Sequence, residues 1–332
     1  MAKVTMRPMR RRAVLGLACS AFWALTSAPA LAAAEYPAKP IRMLVGFAAG
    51  GTTDLLARLV AKEISADLGQ PVVVENKPGA GGSVAADLAA RSQPDGYTLI
   101  MGAINHAINA SLYKNLPYDQ LRDLTPVSMV AITPNMLVVP ADSPFNSVDD
   151  LLRSARSTPG ELTFASSGVG TSVHLSGEQF KSMAKLDLVH VPYTGVAPAE
   201  TDLVAGRVSM MFDSIVTALP LVQAGRLKAL AVTSAQRSAV APDVPTVAEA
   251  GLPGFDVSPW YCIFAPAGTP ASVVDRLNKA VVAVMARPEV RTHLLKLGAD
   301  PYTGTPGEAD QYVRKEIERW KQVISAADVK VN

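Results

Sequence analysis

The 332-residue chain is poor in the side chains that most often carry chemistry. It has two cysteines, Cys19 and Cys262, and four histidines, His106, His174, His190 and His293. No Cys-x-x-Cys or His-x-x-x-His grouping occurs, so no metal site is expected. No Gly-x-Ser-x-Gly elbow is present, which removes the commonest hydrolase nucleophile. Gly79-Ala80-Gly81-Gly82 lacks the Lys-Ser/Thr ending of a P-loop, and Gly-x-Gly-x-x-Gly is not completed after Gly79 and Gly81, so no cofactor is expected. A serine hydrolase would have to combine Ser166 or Ser167 with His174 and Asp213, and nothing in their spacing supports that triad. The chain reads as a non-enzyme.

Basic charge is also scarce once the N-terminus is set aside. Lys3, Arg7, Arg10, Arg11 and Arg12 precede an apolar run from Ala13 to about Leu25 and the small residues Ala28-Pro29-Ala30-Leu31-Ala32. This order is that of a cleavable export signal over residues 1–32, implying a periplasmic protein. The apolar run falls short of the roughly 20 residues that span a bilayer. Removing 1–32 takes five of the 31 basic residues and none of the 29 acidic ones, leaving 26 against 29, net −3 rather than +2. No basic cluster remains, and no nucleic-acid partner is expected. Cys262 is then the only cysteine, which excludes an intramolecular disulfide in an oxidising compartment.

What the chain does have is a strand, a glycine turn and a helix in close succession. Ile41–Val45 reads as a buried strand, and Phe47-Ala48-Ala49-Gly50-Gly51-Thr52-Thr53-Asp54 turns it into a helix with apolar positions at Leu56, Val60, Ile64 and Leu68. Glycines let another molecule approach the backbone, and the first helical N–H groups lack intrahelical partners. With the helix dipole, such a turn makes a site for a small anion. A second copy follows Leu162–Ala165: Ser166-Ser167-Gly168-Val169-Gly170-Thr171-Ser172 leads into another helix. Two such turns predict two lobes that each offer a helix end to one cleft.

Strand and helix signals alternate from Ile41 onward, predicting α/β architecture with parallel sheets. Tyr97–Met101 is a third strand, and Asn105 and His106 leave its carboxyl end beside Gly50-Gly51. The chain is expected to leave the first lobe near Pro140 and return near Trp260. Residues 33–139 and 260–332 then form lobe 1 and 140–259 form lobe 2. Cys262 and His190 read as core residues, and Asp54 as a partner of the first helix dipole.

Several motifs then carry a family resemblance. Tyr36-Pro37-x-Lys39-Pro40-Ile41-Arg42, the Phe47–Asp54 turn, Val74-Glu75-Asn76-Lys77-Pro78-Gly79-Ala80-Gly81-Gly82 and Pro94-Asp95-Gly96-Tyr97 are four of them. Ser167-Gly168-x-Gly170-Thr171, Val191-Pro192-Tyr193-x-Gly195 and Met211-Phe212-Asp213 are three more. Together they resemble the Bug-type receptors, extracytoplasmic solute-binding proteins of tripartite tricarboxylate transporters, along essentially the whole mature chain. The resemblance implies a two-lobed periplasmic-binding-protein fold (Venus-flytrap, type II-like) with two hinge crossings. It implies a monomer that closes on a small carboxylate and presents it to membrane permease subunits. Carried over by motif, Phe47, Ala49, Gly50, Gly51, Thr52 and Thr53 would line lobe 1 with Asn105 and His106. Ser166, Ser167, Gly168, Val169, Gly170 and Thr171 would line lobe 2 with Tyr193, Thr194 and Asp213. A sensor of the same fold that signals to a two-component kinase is the alternative.

Overall fold

The computed structural model describes residues 1–3, 5, 36–113 and 115–326. The expected export signal, with Cys19 and the Ala32 cleavage point, lies almost wholly outside them. In chain order the elements begin with β1 (Ile41–Val45), α1 (Thr52–Leu68), β2 (Val72–Asn76), a single 3-10 turn (Ala80–Gly82), α2 (Ser83–Ala90) and β3 (Thr98–Ala103). Next come α3 (Asn105–Leu112), β4 (Leu124–Ile132), β5 (Asn135–Pro140), α4 (Val148–Ser157), β6 (Thr163–Ser166), α5 (Ser172–Ala184) and β7 (Val189–Pro192). Then follow α6 (Val196–Val204), β8 (Met210–Ser214), α7 (Ile215–Gln223), β9 (Leu227–Val232) and β10 (Trp260–Pro266). The last are α8 (Ala271–Met285), α9 (Pro288–Lys296), β11 (Asp300–Pro301) and α10 (Pro306–Ala326). No helix among the described residues is long and apolar enough to cross a membrane.

Two sheets organise the chain. The first has the order β11-β4-β10-β3-β1-β2 and the second β7-β6-β8-β5-β9. Both are mixed rather than parallel as the alternation predicts. β1, β2 and β3 run parallel, but β10 lies antiparallel between β3 and β4. In the second sheet β6 is parallel to β7 and β8, and β5 is antiparallel to β8 and β9. The antiparallel strands are those that border the passages between sheets, where the chain arrives from the opposite direction.

The first passage lies at Thr133-Pro134, not at Pro140. Met136 to Val138 pair with both β8 and β9, so the stretch assigned to the first lobe by sequence belongs to the second sheet. An all-apolar strand reads alike whichever sheet it joins, because both faces are covered in either. The return occurs at Pro259-Trp260, where Thr133 N donates to Pro259 O at 2.8 Å, so the two passages run side by side. Behind the first sheet α10 is pinned by Glu316, which accepts from the indole N–H of Trp260 at 3.0 Å and of Trp320 at 3.3 Å. Trp260 is thus a core residue of the α10 side. Cys262 is buried as expected, and burial pushes its thiol pKa up.

Candidate functional site

The first turn is locked from behind. Asp54 is buried, and its carboxylate accepts from Gly50 N at 3.0 Å, Arg58 Nε at 2.9 Å and Asn76 Nδ2 at 2.9 Å. Asn76 also donates to Phe47 O at 2.9 Å, so one carboxylate and one amide fix both ends of the loop. Burial alone would raise the pKa of Asp54, but the bonds from Arg58, Gly50 and Asn76 together hold it below the ordinary value. The carboxylate is therefore taken up by its own turn, and its charge is matched by Arg58.

Five helices begin at one cavity. Gly51, Thr52 and Thr53 bring the start of α1, Ile104 and Asn105 that of α3, and Thr171, Ser172 and Val173 that of α5. Gly195 and Val196 bring α6, and Asp213 and Ser214 bring α7. Thr171 Oγ1 caps α5 by accepting from His174 N at 3.3 Å, and Ser214 Oγ caps α7 by accepting from Val216 N at 3.4 Å. α1 and α6 start at glycines with no side-chain cap, leaving their first N–H groups open to another acceptor. Phe47, Ala48, Ala103, Asn135, Ser167 and Tyr261 complete the wall. The space open to the centres of water-sized molecules is about 60 Å³, and since about 10–15 Å³ on that measure holds one water, the cavity suits a short molecule.

A wider outer cavity of about 550 Å³ adjoins it, sharing Phe47, Ala48, Ser167 and Gly195. The Gly79–Gly82 turn and Tyr113 flank it on one side, and Gly168, Val169, Tyr193 and Thr194 on the other. At its rim a Cβ on Gly81 would lie 2.7 Å from Val169 O, and one on Gly170 would fall on Asn109 Oδ1. Both glycines have positive φ, 59° and 80°, so neither position accepts a side chain. The parts of the chain that carry the two sheets thus approach closely across the cleft, backbone to backbone at Gly81 and backbone to side chain at Gly170.

Of the residues expected in the site, Phe47, Gly51, Thr52, Thr53, Asn105, Ser167, Thr171 and Asp213 meet around the inner cavity. Gly168, Val169, Tyr193 and Thr194 border the outer one, where the Tyr193 hydroxyl donates to Asp202 at 2.8 Å. Ala49, Gly50, His106 and Ser166 border neither, and Gly170 stands at the rim of the outer cavity without lining it. Ala49 and Gly50 are exposed on the outer side of the turn. Ser166 is fully buried with His190 Nε2 at 2.6 Å from its Oγ; that bond supports the turn through Gly168 N, which donates to Ser166 Oγ at 3.2 Å. His106 points into the core, its Nδ1 2.9 Å from Gln120 Oε1 and its ring stacked on Phe264 at 5.8 Å. Sequence reasoning misses Asn135, Gly195, Val196, Ser214 and Tyr261, which reach the cavity from the first passage, α6, α7 and β10. Only Gly195, a glycine opening a helix, carried the signal used for the other two turns.

Among the described residues lining the inner cavity none is Lys, Arg or His, and Asp213 is the one carboxylate. Burial raises the pKa of Asp213 to about 6 against the hydrogen bonds it accepts, and raises that of its neighbour Glu200 to about 9, helped by the Asp213 charge. His174 and His190 stack at 4.2 Å beneath the second turn, and burial lowers them to about 3 and about 4. Among the described residues, no group of three or more His, Cys, Asp or Glu side chains stands close enough to hold a metal ion. The arrangement offers hydrogen-bond donors and dipoles to a bound anion, and no group placed for covalent chemistry.

Comparison with known proteins agrees with this chemistry. The tripartite tricarboxylate transporter family receptor model matches residues 56–329. The protein BugT of Bordetella pertussis is 37% identical over 303 residues, 91% of this chain and 93% of its own. Among solved structures, Rpa4515 of R. palustris with adipate superposes with a TM-score of 0.87 at 40% identity, covering 89% of this chain and 99% of that one. MatC of Rhodopseudomonas palustris with bound malate gives 0.83 at 38% identity, covering 87% and 100%. The chain belongs to the receptors of the tripartite tricarboxylate transporter family, which are solute-binding proteins and not enzymes.

Proposed function

We propose that this protein captures a small organic acid in the inner cavity, in the periplasm, and presents it as a monomer to the membrane subunits of a tripartite tricarboxylate-type transporter. The observation that carries the reading is the convergence of five helix N-termini on a cavity whose described lining has no cationic side chain. Oriented peptide dipoles offset an anion's charge without an ammonium or guanidinium group. The adipate and malate bound to two relatives of the same family support a carboxylate ligand. Residues up to Ile132 and from Trp260 would form one lobe and Asn135 to Val232 the core of the other, with the ligand bridging the two and favouring closure.

A thermal-shift screen across mono-, di- and tricarboxylates tests the reading, since a ligand at 100 times its Kd adds about 2.7 kcal/mol. Gly51→Val is the informative variant. Gly51 has φ −80°, which any residue adopts, and a Cβ there meets Val196 only at 3.8 Å, so the fold should survive. Its side chain would occupy the cavity, and the thermal shift is expected to vanish while the ligand-free melting point stays put. Ligand response unchanged in Gly51→Val would refute the assignment of this cavity. Uptake of the labelled acid by cells lacking the protein tests delivery: transport undiminished would favour a sensor.

A further inference from the structure

We propose that Asp213 and Glu200 form a carboxyl pair that shares one proton at the cavity wall, and that the pair selects small acids carrying a hydroxyl or ammonium group beyond their carboxylate. The inference deepens the acid-receptor reading and rests on it. Asp213 is fully buried and lines the cavity, with Oδ1 accepting from Ser214 N at 2.9 Å and Oδ2 from Thr217 Oγ1 at 3.1 Å. Glu200, on α6, stands against it, the two carboxyl groups within hydrogen-bond reach. Two ionised carboxylates are acceptors only and repel, so their contact needs a proton between them. Glu200 Oε1 is buried with no donor in reach, an environment that suits a carboxyl group carrying the shared proton.

Two further side chains mark the same wall as a place for ligand. Asn105 Oδ1 borders the cavity, is more than nine-tenths buried and reaches no partner, and Thr52 Oγ1, equally buried, has only the Tyr261 hydroxyl near it. A buried polar atom left unpaired is destabilising, so these positions suit a group that arrives with the ligand. Asp213 adds a negative acceptor that would repel a second carboxylate and attract a donor. The ionisable side chains on elements packed against β8 are few. α5 brings His174, Glu178 and Lys181, and α6 adds Asp202, tied to Arg207 and Tyr193. Tyr261 approaches from β10 with its hydroxyl held protonated by burial, and α7, β5 and β6 bring none. No cation among them stands ready to neutralise the pair.

The sign of the pH dependence follows. Near neutrality the pair holds one proton and Asp213 accepts from the ligand. As pH falls toward 6 a second proton arrives, weakening hydroxy and amino acids and admitting a plain second carboxylate. Glu200→Gln supplies an amide donor in place of the shared proton, so it should keep the selectivity at pH 7 and lose the response to pH. The test has two arms. Infrared spectroscopy of the ligand-free protein at pH 7 should show a protonated-carboxyl band that Glu200→Gln abolishes; its absence from the native protein would overturn the shared proton. Binding of malate against succinate, and of lactate and alanine against propionate, should favour the donor-bearing acid by about 10- to 100-fold, the worth of a hydrogen bond to a charged group. Asp213→Asn should erase that preference. Equal binding within each pair overturns this inference alone, whereas binding of none of these acids overturns both it and their being the ligand class.

Discussion

His106, His174 and His190 are held neutral by burial, with pKa values lowered to about 4, about 3 and about 4. The unfolded chain takes up protons at each of them below about pH 6.5. Their stabilising contribution is therefore complete above that pH and lost as pH falls through the window toward 4. Urea unfolding is expected to show a marked loss of stability from pH 7 to pH 5, and a flat profile would contradict the burial of these rings. His106→Phe, which keeps the stack on Phe264 and leaves Gln120 without its partner, should be less stable at pH 7 yet shallower in its pH response. At this scale the sequence is only half legible. Asn105 and His106 both leave β3 at its carboxyl end, as the pattern predicts, and there they open α3. Neighbours on a helix point about 100° apart, so one reaches the cavity and the other the core.

Among the elements, the turn between β1 and α1 was the most readable, because a run of apolar residues, two glycines and a helical period follow one another without interruption. The structure adds why it holds its shape: Asp54 and Asn76 tie Phe47 O and Gly50 N from behind. Asp54→Ala takes the acceptor from Gly50 N, from Arg58 and from one of the two bonds of the Asn76 amide. It should cost about 2–3 kcal/mol, most of it from the buried bonds rather than from the half-exposed Arg58. Thermal unfolding measures that loss, and a cost below about 0.5 kcal/mol would mean that the turn is held by its glycines alone. α3 and α7 are harder to find, since neither is preceded by a glycine and each starts directly from the last residues of a strand. With α6 they raise the number of helix ends at the cavity from the two expected to five.

For the molecule as a whole, the mixed sheets and the early passage at Thr133-Pro134 were out of reach of local pattern. Whether Met136–Val139 joins one sheet or the other depends on residues such as Phe212 and Ala231, some 75 to 95 positions away. The glycines at the rim bear on how the halves meet. A side chain at Gly170 would collide with Asn109 Oδ1 and press close against Leu112 and Tyr113. Gly170→Ala is expected to weaken ligand binding and to enlarge the radius of gyration of the liganded protein in small-angle scattering. An unchanged radius together with unchanged affinity would show that this contact is not made in solution.

Both passages between the sheets carry a proline, Pro134 in one and Pro259 in the other. Each ring fixes φ near −65° and withholds an N–H, so the two connecting strands have fewer torsions to turn about and fewer rungs to break. Two lobes joined in this way would be held at a set gape instead of flapping. Little disorder would then have to be quenched when the proposed ligand arrives, and weak individual contacts would suffice to close them.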